Sequence, residues 1–295
     1  MIRNPKVLVL GSTGMLGHQL CNYLISNSEY IVFDVARRAK FRSETTLIDD
    51  VTDEKKLCAY IERINPDYIV NCIGVLISGS NKSIENAILV NSYLPHMLAR
   101  VASEMNSILI HISTDCVFSG KKGGYVESDY RDGQGVYAQT KILGEVCESK
   151  NLTLRTSIIG PEIRDNGEGL FHWFMGQATS VSGFTKAIWS GVTTIELAKA
   201  IKWSIDHHIT GLYHVTNNSS ISKYELLQLL QKHTKKDISI KPSDGKNVDK
   251  SFIDTRLLLD YKIPSYDQMI SDMVSLIANN RTLYSQYKVE SFDKE

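Results

Sequence analysis

Tyr137 and Lys141 stand four residues apart in the run Tyr137-Ala138-Gln139-Thr140-Lys141. On a helix such a pair projects from one face. An ammonium beside a phenol lowers its pKa from the usual value of about 10, making tyrosine a proton donor or acceptor usable near neutrality. Upstream, Ser113-Thr114-Asp115 closes an apolar run. The Thr114 hydroxyl can hydrogen-bond a substrate carbonyl while Tyr137 gives the proton, which as general acid catalysis is worth roughly 10²–10⁴-fold. A lone Tyr-x-x-x-Lys is common on helix surfaces; the Ser-Thr pair one loop earlier makes the pattern specific. Set beside a dinucleotide site, these groups would do hydride-transfer chemistry, with Lys141 holding the nicotinamide ribose.

Such a site is foreshadowed by Gly11-Ser12-Thr13-Gly14-Met15-Leu16-Gly17, directly after the apolar run Lys6–Leu10. Glycines are needed where backbone passes close to a pyrophosphate and then opens a helix whose N–H groups bind the anion. The spacing is G-x-x-G-x-x-G rather than G-x-G-x-x-G. Thr13, Met15 and Leu16 belong to the same turn and count as cofactor neighbours. Asp34 is expected at the end of the second strand, about 20 residues beyond the turn, where a carboxylate bonds a ribose 2′-hydroxyl. Arg37 and Arg38 instead suit a 2′-phosphate. NADH and NADPH both remain open. Asp50 and Val51, in Asp49-Asp50-Val51, are candidates for contacts to adenine.

The elements that must position these residues alternate along the chain. Strands are expected at Lys6–Leu10, Tyr30–Val35, Tyr68–Ile73, Ile108–Ile112, Leu152–Arg155 and Leu212–Val215. Helices are expected at Leu16–Ser26, Asp53–Ile64 (ending at the Asn65-Pro66 break), Ile84–Met105 with Pro95 inside it, and Tyr137–Ser149. Three more follow at Thr194–Asp206, Ser222–His233 and Tyr266–Asn279, the second opened by a Ser222/Glu225 capping box. Alternation with short links predicts an α/β fold: a Rossmann-type, doubly wound parallel sheet with a smaller C-terminal α+β substrate domain. The NAD(P)-binding domain would span 1–156, with 190–217 returning to it. Residues 157–189 and 218–295 would form the substrate domain. Phe171, Trp173 and Phe174, in a glycine-dotted stretch, are expected partly in the core and partly beside a ligand cleft, and the polar tail after residue 279 is expected to fray.

Composition removes other classes. Among 295 residues, 33 basic side chains balance 33 acidic ones, so nothing favours nucleic acid or an anionic membrane. No apolar run approaches the ~20 residues of a membrane span, and the N-terminus carries no signal-peptide pattern. The five cysteines (Cys21, Cys58, Cys72, Cys116, Cys147) are odd in number and scattered, without a Cys-x-x-Cys pair. That argues against a disulfide framework or zinc site and for a reducing, cytoplasmic setting. No metal ligands are assigned. His111, in a buried strand, reads as a satisfied core histidine, and His207-His208 as a helix-end feature.

The chain resembles the extended short-chain dehydrogenase/reductases, most closely the dTDP-4-dehydrorhamnose reductase branch. The resemblance is carried by the 11–17 turn, by Pro66-Asp67-Tyr68-Ile69-Val70-Asn71-Cys72-Ile73-Gly74, and by Leu89-Val90-Asn91. It continues in 113–120, Tyr125-x-Glu127-x-Asp129, 137–141 and Leu154-Arg155-Thr156-Ser157. It is dense to about residue 160 and sparse beyond. It implies an NAD(P)H-dependent 4-ketoreductase acting on a nucleotide-diphosphate-linked 4-keto-6-deoxy sugar, with Thr114, Tyr137 and Lys141 as the catalytic set. Cys72, Ile73, Gly74 and Ser113 would lie beside the cofactor, and Asn91 would support the active-site backbone. Asp115, Cys116, Ser157 and Trp189 would meet the sugar nucleotide. A homodimer through helices 84–105 and 137–149 is also implied. Two alternatives stay open: a nucleotide-sugar epimerase that keeps its NAD bound, and a non-catalytic dinucleotide-binding subunit, since the same branch includes the regulatory subunit of methionine adenosyltransferase. This chain departs from the branch in three places. Cys116 follows Asp115 where related dehydratases have a second carboxylate, so elimination is not expected. Cys116 and Ile158 replace aromatic residues, and 187–194 replaces a pocket segment. The sugar and the base therefore stay open.

Overall fold

The computed structural model describes residues 3–147, 150–256 and 261–289. Val7, Leu8, Val9 and Leu10 are all fully buried. A strand apolar on both faces belongs in the middle of a parallel sheet covered on both sides. Lys6–Leu10 lies there, in a seven-stranded sheet of order Gly211–His214, Leu152–Thr156, Ile108–Thr114, Tyr68–Asn71, Lys6–Leu10, Ile31–Ala36, Thr46–Leu47. Every pairing is parallel. The strand order reverses beside Lys6–Leu10, which places a topological switch point at its carboxyl end.

Alternate residues of this strand serve two cores. Val7 and Val9 pack with Leu16, Leu20, Leu197 and Ile201, from helices Met15–Asn27 and Thr194–Asp206. Leu8 and Leu10 pack with Leu57, Ile61, Leu98 and Val101, from Glu54–Ile64 and Leu94–Glu104 on the other face. Each such aliphatic side chain contributes roughly 1.5–3 kcal/mol on burial. The C-terminal part is built from small sheets, among them Ala187–Trp189 between Ile221–Ser222 and Val248–Asp249. Another pairs Ser180–Phe184 with Ser239–Ser243, and helices Lys223–Thr234 and Tyr266–Asn279 pack nearby. Local signals set several ends. Asp53 accepts from the Lys56 amide, and Ser222 and Glu225 form the expected capping box.

Four expectations change. The helix carrying Tyr137 is Val136–Leu143 and stops at Gly144, where a Cβ would overlap the Asn91 carbonyl. Of its expected last residues, Glu148 and Ser149 lie outside the described set. The helical run from Ile84 contains a widened π segment, Ile88–Tyr93, just before Pro95, and a further helix, Ile77–Lys82, precedes it. Phe171 and Phe174 are fully buried core residues rather than cleft lining, while Trp173 is exposed. The tail does not fray as far as it is described. Tyr284 is buried and hydrogen-bonds His18 and Gln19, and Tyr287 takes the Glu162 amide. Residues 290–295 lie outside the described residues.

Candidate active site

The glycine turn does three separate jobs. Gly11 has φ +90°, a left-handed conformation that glycine adopts without strain. Gly14 caps Met15–Asn27 without a side-chain cap, and the helix's first turn carries no acidic residue. Its amide groups are thus free to meet an anion. Gly17 lets the helix approach the strand, since a Cβ there would overlap the Gly11 carbonyl. Leu16 turns into the core, whereas Met15 lies against Gly169.

This turn forms one wall of a cavity of about 250 Å³ at the switch point. Thr13, Arg37, Asp50, Val51, Cys72, Ile73 and Gly74 also line it. Asp34 does not. The strand runs on to Ala36, so Asp34 sits two residues inside it, and its buried carboxylate takes a 2.7 Å bond from Arg42 Nε. The expected carboxylate–ribose contact is therefore corrected: the strand-end side chains at the cavity are Ala36 and Arg37. Arg38 is exposed and does not line it. Arg164 gave no signal in the sequence. It reaches the cavity from the C-terminal part and donates a 2.6 Å bond to Thr13 Oγ1. Bare glycine backbone, an uncapped helix start and two guanidinium groups fit a dinucleotide phosphate.

Asn91 joins this cavity to the Tyr137–Lys141 helix. Its Oδ1 accepts from the Val75 amide at 2.8 Å, and its Nδ2 donates to the Val75 carbonyl at 2.9 Å and to Thr140 Oγ1 at 3.2 Å. Asn91 is buried and lines no cavity wall, so it braces the loop rather than touching the cofactor. Thr114 ends the strand Ile108–Thr114 beside Tyr137, with its Oγ1 taking the Cys116 amide at 3.1 Å. Burial raises the Tyr137 pKa, and Cys116 and Asp115 raise it further, while a hydrogen bond with Thr114 works downward. Lys141 does not act on the phenol as expected. Its Nζ donates to the Ile112 carbonyl at 2.8 Å and sits 3.4 Å from His111 Nε2. Burial lowers its pKa to about 8, against the upward pull of Glu145.

Ser113 is likewise committed elsewhere. Its hydroxyl donates at 2.6 Å to Glu145, which forms a bidentate pair with Arg155 at 2.7 and 2.8 Å and also takes a bond from Arg131. The cluster anchors the chain leaving the Tyr137 helix and does not face the cavity.

On the sugar side, Asp115 and Cys116 form a short 3₁₀ turn. Lys223, unremarked in the sequence, gathers the other candidates. Its ammonium lies 4.9 Å from the Trp189 ring centre and within electrostatic reach of Asp115 and Cys116. Burial lowers its pKa to about 8. Burial also raises the Cys116 thiol to about 11, with Asp115 adding to the rise. Trp189 is buried beneath the lysine, and the Ser157 carbonyl takes the Val192 amide. All five cysteines are free. No helix among the described residues is long and apolar enough to cross a membrane.

A doubly wound parallel sheet with a bare glycine turn at its switch point, and a Tyr–Lys helix braced against it, defines a class: the Rossmann-type NAD(P)H-dependent oxidoreductases. The family model described as RmlD substrate binding domain matches residues 5–251, and the chain belongs to that family. A dTDP-4-keto-6-deoxy-D-glucose reductase from Streptomyces niveus is 28% identical over 231 residues, 75% of this chain and 76% of that one. Methionine adenosyltransferase 2 subunit beta from Bos taurus is 26% identical over 250 residues, covering 76% and 71%. In fold, the chain is similar to dTDP-4-dehydrorhamnose reductase from Bacillus anthracis, solved in complex with NADP. That match has a TM-score of 0.78 at 21% identity and covers 92% of this chain and 99% of that one.

Proposed function

We propose that this protein reduces the C4 keto group of a nucleotide-diphosphate-linked 4-keto-6-deoxy sugar in deoxysugar and surface polysaccharide synthesis. The observation that carries the reading is Asn91, which ties the cavity loop at Val75 to Thr140, between Tyr137 and Lys141. Phosphate binding and proton donation thereby share one frame. The glycine turn, Arg37 and Arg164 would hold a dinucleotide. The cation at the strand end, with Asp34 buried, favours NADPH over NADH. When bound, the reduced nicotinamide supplies hydride to the sugar's C4. Thr114 and Tyr137 hold the carbonyl oxygen, and Tyr137 gives it the proton. Lys141, whose Nζ is turned to the Ile112 carbonyl, restores the proton to Tyr137 through an intervening water. Asp115, Cys116 and Lys223 receive the sugar nucleotide, with Trp189 packed beneath Lys223.

The reading includes a cytoplasmic homodimer. Ile84, Ile88, Leu89, Tyr93 and Leu143 are exposed on the two helical segments of the expected contact. Sedimentation should give twice the chain mass.

The test is NADPH or NADH oxidation with a panel of 4-keto-6-deoxy nucleotide sugars made in situ. Turnover of one sugar fixes the substrate. Silence across the panel with tight cofactor binding moves the weight to an epimerase or to a binding subunit like the bovine relative. Tyr137→Phe should lower turnover by about 10²–10⁴-fold and leave the cofactor Kd within about twofold. Near-normal turnover in that variant sinks the assignment.

A further inference from the structure

His111 is a group the mechanism above does not use, yet it is fully buried against Lys141. It is paired across the sheet with Asn71, whose strand leads into the cavity loop. Asn71 Oδ1 accepts from the Ile73 amide at 3.1 Å. That bond fixes the orientation of the amide, because a flipped NH₂ would face the Ile73 N–H. Asn71 Nδ2 is therefore the atom lying 3.3 Å from His111 Nδ1. An NH₂ only donates, so Nδ1 must be the acceptor and the single proton of the neutral ring sits on Nε2. Burial, with Lys141 and His96 adding to it, keeps the ring neutral.

Nε2–H then points at Lys141 Nζ. An ammonium offers that N–H no lone pair, whereas a neutral amine accepts from it. Nζ and Nε2 lie 3.4 Å apart. We propose that His111 is a positioning residue that makes Lys141 a readier proton donor: Asn71 locks its tautomer, and the locked ring favours the amine that remains once Lys141 has given its proton to the Tyr137 phenolate. The inference rests on the role proposed above for Lys141. The other groups facing Lys141 are Glu145, which opposes the effect, and the Ile112 carbonyl.

Two measurements test this without turnover. In protein with ¹⁵N-labelled histidine, assigned through side-chain correlations, His111 should be the Nε2–H tautomer at neutral pH. The titration of Lys141 is read from its ¹³Cε shift, with a midpoint expected near 8. Asn71→Asp keeps the shape but presents an acceptor to Nδ1, so the ring should invert to Nδ1–H and offer Nε2 as an acceptor to the ammonium. The Lys141 midpoint should then rise by about one unit or more. The alkaline limb of kcat/KM should move up with it. An Nδ1–H tautomer in the unaltered protein overturns the proposal, as does an inverted tautomer with an unmoved Lys141 midpoint. Should Asn71→Asp fail to fold, the tautomer of the unaltered protein decides. If no keto sugar is turned over, both NMR readings still stand, so failure of the reductase reading is separable from failure of this one.

Discussion

The two ends of the candidate site are made differently. At the cofactor end, the geometry is backbone: Gly11 in a left-handed conformation, a helix start without a cap, and Gly17 where no side chain fits. At the proton-donating end the geometry is side chain upon side chain. Lys141 leans on His111, His111 on Asn71, and the helix end on the Glu145–Arg155 pair. Backbone sites depend on residues a few positions apart, so a change there acts locally. Side-chain networks draw partners from three strands and a helix, so a change there spreads.

The largest expected effect on stability lies at the networked end. Glu145 and Arg155 are almost wholly buried, with 0% and 3% of their side chains exposed. Burial alone would raise the Glu145 pKa, but Arg155, Ser113 and Arg131 together hold it below the usual range. Arg155→Met strands most of that charge, and breaking a buried pair costs about 3–5 kcal/mol. Denaturant unfolding measures it. A loss under about 1 kcal/mol would show that the Tyr137 helix is held by something other than this pair.

A smaller and more local effect is expected at the backbone-built end. Arg37→Ala removes the strand-end cation at the cavity. NADPH affinity should fall about tenfold, the scale of one charge-assisted hydrogen bond in a partly solvated site, while NADH affinity and the unfolding midpoint stay put. Equal losses for both cofactors would place Arg37 on the pyrophosphate instead of the 2′-phosphate.

The same division governs what could be read from the sequence. Glycine spacing, the apolar strands and the Tyr-x-x-x-Lys step are short-range patterns. They gave the sheet, the turn and the helix carrying Tyr137. Asp34 misses the cavity because the strand, expected to end at Val35, runs on to Ala36, and because Arg42, eight residues on, takes the buried carboxylate. Arg164 lies 151 residues from Thr13, and no periodicity announces such a partner. Lys223 looked like an ordinary first-turn residue of a capped helix. Only the folded chain shows it half-buried over Trp189. Thr114, Tyr137 and Lys141 were found together, but the direction in which Lys141 points depends on His111, which the sequence reading left as core.

The smallest effect sharpens the contrast inside the C-terminal part, where one helix start is entirely local. Ser222 Oγ takes the Glu225 amide, and Glu225 returns a 2.8 Å bond to the Ser222 amide. The pattern spans four residues and was legible as written. Ser222→Ala removes one half of this box and should cost about 1 kcal/mol, the usual worth of an N-cap. Because Lys223 is the next residue, the variant also asks whether the cap does more than hold the helix. If the loss is only thermodynamic, KM for the sugar nucleotide stays unchanged while the unfolding midpoint falls. A raised KM at constant kcat would mean that the cap aims Lys223 at the substrate, joining a locally encoded feature to the networked end of the site.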